Sequence, residues 1–299
     1  MASGDADLAG TLTLSAGSGS SPVVVYVHDA SDGTRDALLA RHLRELLPER
    51  GIGVLAFDRR GEGESTGNSE VPIETLAEDV RAWLDLLRRV PSVDSEQIGL
   101  FAHSQGGWIA PMAAQADGDV ACLVAVAPSG SPPDVQMDYA VTNLLREAGY
   151  DGATTERVLR LRRLVNAAVV GSAPVEEARA RLAEAAGEPW LELAYVGEPE
   201  GAAAEAWAKW VGLDIGPVLR SLEIPVLLVV GGYDRWVDVD ETVAVWQEAL
   251  GERLTVLRLP EAGHFPTRAG DPLDWAERGP FIREYEDTLT GWLSSHLRP

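Results

Sequence analysis

Apolar and polar positions along the chain alternate between two periods. Val23-Val24-Val25-Tyr26-Val27 is a continuous apolar run, as expected of a strand buried on both faces. Gly53–Phe57, Ile98–Ala102 and Val120–Ala127 read the same way. Between these runs the spacing turns helical. Leu38, Leu39, Leu43, Leu46 and Leu47 mark a helix within 35–50. Leu76, Val80, Trp83, Leu84 and Leu87 mark a second over Ile73–Val90, and a third covers 105–116. Strands alternating with helices predict a parallel sheet covered by helices on both faces.

The alternation stops at Ser131. From there to about Gly216 the sequence offers no strand and reads as helices near 134–148, 154–170, 175–186 and 203–211. After Pro225 it resumes, with strands at Val226–Val230 and Leu254–Leu259 and helices at 239–250 and 280–296. The prediction is an α/β fold with a mostly parallel, doubly wound sheet. Residues 1–130 and 217–299 form its core, and 131–216 form an inserted all-helical segment. Residues 15–21 read as a short flexible turn.

Charge and composition narrow the class of partner. The chain has 299 residues, with 47 acidic against 25 basic side chains and a net charge of −22. Nucleic acids and anionic membranes need a positive footprint, so neither is an expected partner. No run of about 18 apolar residues is present to span a bilayer. The first residues lack the basic and apolar regions of a signal peptide. The single Cys122 sits within an apolar run and reads as a core residue, so a reducing, cytoplasmic setting is expected. No His, Cys and acidic cluster has metal-ligand spacing, and no phosphate-loop pattern is present, so neither metal nor cofactor is expected.

Ser104 lies in Phe101-Ala102-His103-Ser104-Gln105-Gly106-Gly107, directly after a strand and before a helix. A nucleophile there needs a sharp turn that lifts its oxygen above the sheet. Small residues two before and two after are required, and Ala102 and Gly106 supply them. A serine hydroxyl also needs a base. Of the five histidines, His42 lies mid-helix, His296 ends the last helix, His103 adjoins Ser104 and should point elsewhere, and His28 ends the first long strand and should order the next loop. His264, past the last strand, remains as the base. The acid that would orient it is Asp234, after strand Val226–Val230, with Asp238 as a rival; Asp240 reads more like a helix cap. Two backbone donors are needed for an oxyanion, and Ala30 and Gln105 are placed to supply them.

The order Ser, Asp, His on these strands resembles the α/β-hydrolase superfamily. Phe57-Asp58-Arg59-Arg60-Gly61-Glu62-Gly63-Glu64-Ser65 looks like a loop common in that superfamily. Gly99–Gly107 resembles its nucleophile elbow, and Gly232–Asp234 and Gly263-His264 its acid and base segments. Within it, Leu8-Ala9-Gly10-Thr11-Leu12 and Trp108-Ile109-Ala110-Pro111 look like bacterial esterases and acyl-peptidase-like hydrolases. The resemblance implies a serine hydrolase that cleaves an ester, thioester or related acyl bond in a small molecule, with 131–216 as a cap.

One residue departs from the pattern. Asp29 stands where the superfamily usually has Gly, bringing a charge near the oxyanion donors, with Arg35 as a candidate partner. Two alternatives therefore accompany hydrolysis. The same triad could pass the acyl group to an internal nucleophile, or the chain could be a non-catalytic binding protein. Besides Asp29, the aromatic residues Trp108, Tyr139, Tyr150, Trp190, Tyr195, Trp207, Trp210, Trp236 and Trp275 are candidates to line a substrate pocket. The oligomeric state is open, with a homodimer as one option.

Overall fold

A computed structural model describes residues 1–17, 19–268 and 279–297. The chain opens with short strands β1 (Ala2–Ser3) and β2 (Ala6–Asp7), followed by β3 (Gly10–Thr13) and β4 (Ser21–Val27). Then come α1 (Leu38–Leu46), β5 (Gly53–Phe57), α2 (Ile73–Leu87), β6 (Val93–His103), α3 (Gly106–Asp117) and β7 (Leu123–Val126). Five helices follow without a strand: α4 (Pro133–Glu147), α5 (Gly152–Val169), α6 (Val175–Ala185), α7 (Ala202–Trp207) and α8 (Gly216–Ser221). The chain then makes β8 (Val226–Gly231), α9 (Val239–Leu250), β9 (Leu254–Leu259) and α10 (Arg283–His296).

The sheet has seven strands in the order β3-β5-β4-β6-β7-β8-β9. All neighbours are parallel except β3, which runs antiparallel beside β5. The β3 strand is an addition to the sequence reading. Only four residues long and none fully buried, it gives too weak a pattern to read.

Period two explains how this sheet makes two cores. On β4, Val23, Val25 and Val27 face one apolar cluster while Val24 and Tyr26 face the other. On β8, Val226, Leu228 and Val230 face the first and Leu227 and Val229 the second. Helices α2 and α3 cover the first face, and α1 and α10 the second. Every residue of β4 is buried, so the continuous apolar run is a direct requirement of the two-sided sheet.

The strand order creates a switch point. From β4 the chain crosses to β5 on one side and then returns to β6 on the other. Loops leaving the carboxyl ends of β4 and β6 therefore diverge and leave a crevice, the usual binding position in such sheets.

The helices between β7 and β8 carry a third cluster. Val141, Leu145, Val158, Leu161, Val165, Ala178 and Trp190 pack together there. Helix α4 is fixed to the loop after β8. Gln136 Nε2 donates to the Trp236 carbonyl at 2.6 Å, and Asn143 Nδ2 to the Arg235 carbonyl at 2.9 Å. Among the described residues, no helix is long and apolar enough to cross a membrane.

Candidate active site

Ser104 has φ +50°, a left-handed conformation that non-glycine residues rarely adopt and that costs about 1–3 kcal/mol. Local sequence makes the turn feasible. A Cβ on Gly106 would lie 2.6 Å from the Val27 carbonyl oxygen, and one on Gly107 would lie 2.3 Å from the Pro128 Cβ. The Ser104 amide donates to the Val126 carbonyl at 2.9 Å, so the turn is pinned to the end of β7.

Asp234 and His264 meet across the loops that follow β8 and β9. His264 Nδ1 lies 2.8 Å from Asp234 Oδ2. The other carboxylate oxygen accepts the Trp236 and Val237 amides at 2.8 and 3.1 Å. A carboxylate so supplied stays an acceptor, so Nδ1 carries the proton and Nε2 holds the basic lone pair. The two loops are laced by the Tyr233 amide to the Ala262 carbonyl at 2.9 Å and the Gly232 amide to the Leu259 carbonyl at 2.9 Å. Asp238 is engaged elsewhere. It caps α9 by accepting from the Glu241 amide at 3.0 Å, while Asp240 sits in the first turn and pairs with Arg258 at 2.9 Å. The cap is thus Asp238 and not Asp240. The spacing Asp238-x-x-Glu241 carries the signal, because an N-cap bonds the amide three residues on.

The surroundings of Asp29 correct a second expectation. Arg35 is not its partner, for it pairs with Asp58 at 2.8 Å and with Glu64. The Asp29 carboxylate instead meets His103, whose Nδ1 lies 2.9 Å from Oδ2. Its Oδ1 accepts the Ser31 and Asp32 amides at 2.6 and 3.1 Å. Burial raises the Asp29 carboxyl, but the His103 hydrogen bond and charge, with help from Ser31, outweigh it and hold the group well below the usual carboxylate range. The negative charge that argued against catalysis is therefore already satisfied. The amides of Ala30 and Gln105 donate no hydrogen bond among the described residues.

Arg59 belongs to this site although the sequence reading gave it no role. Its Nη1 donates to Gln105 Oε1 at 2.9 Å and to the Asp29 carbonyl at 3.3 Å, and Glu62 holds the same guanidinium. The neighbouring Arg60 turns the other way, onto Asp79 at 2.7 Å. Loop resemblance alone could not separate the two arginines.

The aromatic candidates divide. The Trp236 ring lies 6.3 Å from that of His264, and exposed Tyr195 meets Trp236 edge-on at 5.8 Å. Tyr195 has φ +44°, and its carbonyl is held by buried Arg162. Trp108 and Trp210 are buried in the main core, edge to face at 6.2 Å, and Trp207 packs against that core while donating to Asn166 at 2.9 Å. Trp190 lies in the third cluster beneath Arg157, so packing accounts for it. Tyr139 and Tyr150 are partly buried on and just after α4. Trp275 lies outside the described residues.

Two other histidines set an acid limit on the fold. His28, buried and bonded to the Phe57 carbonyl, is lowered to about 4 by burial and then by the Arg59 charge. His42, stacked on Phe281 with ring centres 3.6 Å apart, is lowered to about 4 by burial. Below the unfolded value near 6.5 the unfolded chain takes up protons that the folded chain refuses, so stability falls as pH drops from about 6.5 towards 4. The expected loss is about 3 kcal/mol per histidine. Urea midpoints measured across that window test this. His42→Phe should flatten part of the slope, and a midpoint constant across the window would overturn the assignment.

The sequence profile of the alpha/beta hydrolase family matches residues 24–278. The esterase EstD of Thermotoga maritima is 22% identical over 300 residues, covering 96% of this chain and 65% of EstD. The thiohydrolase AneE of Aspergillus aculeatus is 40% identical over 86 residues, which are 28% of this chain and 27% of that protein. Both matches span less than two thirds of the relative's own length. Among solved structures, a thermophilic esterase from Thermogutta terrifontis superposes with a TM-score of 0.59 at 22% identity, over 98% of this chain and 94% of that one, and shares its fold. With a family match over most of its length and a sheet order to go with it, the chain belongs to the alpha/beta hydrolase family.

Proposed function

We propose that the protein is a serine hydrolase that cleaves an ester, thioester or related acyl bond through an acyl-enzyme. Ser104 Oγ attacks the carbonyl carbon as His264 Nε2 takes its proton. Asp234 holds the imidazole and stabilises the imidazolium. The Ala30 and Gln105 amides receive the developing oxyanion. The proton passes to the leaving group, and water then releases the acyl chain by the same steps in reverse. One observation carries this reading. A strained serine ends one strand of a parallel sheet, and a hydrogen-bonded Asp–His pair sits on the loops after two others.

Helices α4–α7 act as a cap over the crevice, and the link from α4 to the Trp236 segment supports that role. Tyr195 and Trp236 form an apolar wall beside the base. A small acyl compound is the substrate class, and likeness to a thiohydrolase over part of the chain makes thioesters worth testing beside simple esters.

A fluorophosphonate probe tests the reading, because it reacts with an activated serine and needs no knowledge of the substrate. The expected result is one adduct, mapped by mass spectrometry to the peptide that contains Ser104. No adduct, or an adduct that persists in Ser104→Ala, overturns the proposal.

A further inference from the structure

We propose that His103 and Asp29 form a buried charged pair that positions the site, with a doubly protonated His103 bridging the loop of the oxyanion donor to the loop of the base. This rests on the hydrolase reading above and deepens it. His103 is 0% exposed. Its Nδ1 lies 2.9 Å from Asp29 Oδ2 and its Nε2 lies 3.0 Å from the backbone carbonyl oxygen of His264.

The proton count follows from the partners. A backbone carbonyl only accepts, so Nε2 must carry a proton. Asp29 Oδ1 already accepts two amides and the Ser31 hydroxyl, an environment that favours the ionised carboxylate. Oδ2 is then an acceptor as well, and Nδ1 must also carry a proton. A neutral imidazole satisfies one of these contacts and leaves the other as two facing lone pairs.

The ring occupies a junction. Asp29 directly precedes Ala30, His103 directly precedes Ser104, and the carbonyl that His103 holds belongs to His264. Two hydrogen bonds thus fix donor, nucleophile and base relative to one another. Asp29 comes from the loop after β4, and Asp32 lies further along it. From the loop after β9 comes the His264 ring, 5.1 Å from the His103 ring, with Asp234 of the β8 loop behind it, and Phe265 presents an uncharged ring at 4.3 Å. Arg59, from the loop after β5, donates to the Asp29 carbonyl, and His28 ends the strand beside His103. The Asp29 charge matters during turnover. When His264 takes its proton, a second cation forms beside His103, and Asp29 offsets the repulsion. A glycine at position 29 leaves His103 without this partner.

The first test needs no activity. In the wild-type protein at neutral pH, proton NMR with 15N-labelled histidine should show both ring N–H groups of His103. Asp29→Asn should lose one of them. A singly protonated His103 ring in the wild type overturns the inference, whatever the enzyme's reaction.

The second test compares Asp29→Asn with wild type at neutral pH, reading kcat, KM and Ser104 labelling rate. Asparagine keeps an acceptor but removes the charge that the doubly protonated ring faces. The expected loss in kcat is roughly 10- to 100-fold, with KM little changed. His103→Asn should lose as much, and the double variant no more than either single one, because both break the same unit. Additive losses, or a loss expressed in KM and not in kcat, overturn the inference even when Ser104 still labels in the wild type. Absence of labelling in the wild type fails the hydrolase reading instead.

Discussion

Ser104→Ala is expected to lower kcat by about 10⁴- to 10⁶-fold on any ester or thioester that the wild type turns over, with KM changed little. The size follows from the chemistry. Removing Oγ removes the only atom proposed to form the covalent bond, and His264 is left with no proton to accept. Residual rate comes from the oxyanion donors acting on direct attack by water. The fold should survive, because alanine at φ +50° loses no hydrogen bond that serine makes through its side chain among the described residues. Steady-state kinetics on purified variant, with thermal melting as a control, checks both halves. A variant within 10-fold of wild type would remove Ser104 from the mechanism.

The second large effect is structural. Gly231 ends β8, and a Cβ added to it would lie 2.0 Å from the Gly263 carbonyl oxygen and 2.6 Å from that of Ala262. Both obstacles are backbone, so no side chain can rotate to make room. Gly231→Ala must push the loop after β8 away from the loop after β9, and these carry Asp234 and His264. A displacement near 1 Å costs about 100-fold in rate, and the lost packing adds about 3 kcal/mol of destabilisation. Gly291→Ala is the matched control. That glycine lies on an exposed face of α10 with nothing within 4 Å of the new Cβ, so alanine should stabilise by about 0.5–1 kcal/mol. Melting temperatures and kcat of the two variants should diverge. If Gly231→Ala behaves like Gly291→Ala, close approach of the two loops is not what joins acid to base.

The sheet was readable because its strands are buried on both faces, which forces near-continuous apolar runs such as Val23–Val27 and Val226–Val230. Strand β3 was missed because an antiparallel edge strand of partly exposed residues carries no such signal. At the candidate site, the turn at Ser104 and the pairing of Asp234 with His264 were legible because each follows a strand and because few histidines compete. The partner of Asp29 could not. It depends on β4 lying beside β6 in the sheet, with Val27 opposite Ala102, so that the residues just beyond them meet. Sequence distance favoured Arg35, six positions away; strand order favoured His103, 74 positions away. Once the adjacency is known the register points to the pair, which makes strand order the missing piece and not residue chemistry.

The long helical excursion between β7 and β8 has a consequence for how the protein is made. Strands β4, β5, β6 and β7 can assemble as they leave the ribosome, bringing Ser104 and the Asp29–His103 pair into place early. Asp234 and His264 come after the excursion, so a growing chain holds the Ser104 turn without the Asp234–His264 pair until the last strands arrive. During that interval the edge of β7 awaits its neighbour, and its Leu123–Val126 run is apolar on both faces. About 100 residues take roughly 5–20 s to synthesise, long enough for an open edge to find another chain. Helices α4–α6 share a cluster of their own, and any compaction of that cluster before β8 is made would shorten the effective loop that β8 must close. An open β7 edge is thus the point at which copies of a half-made chain are expected to pair, until β8 covers it.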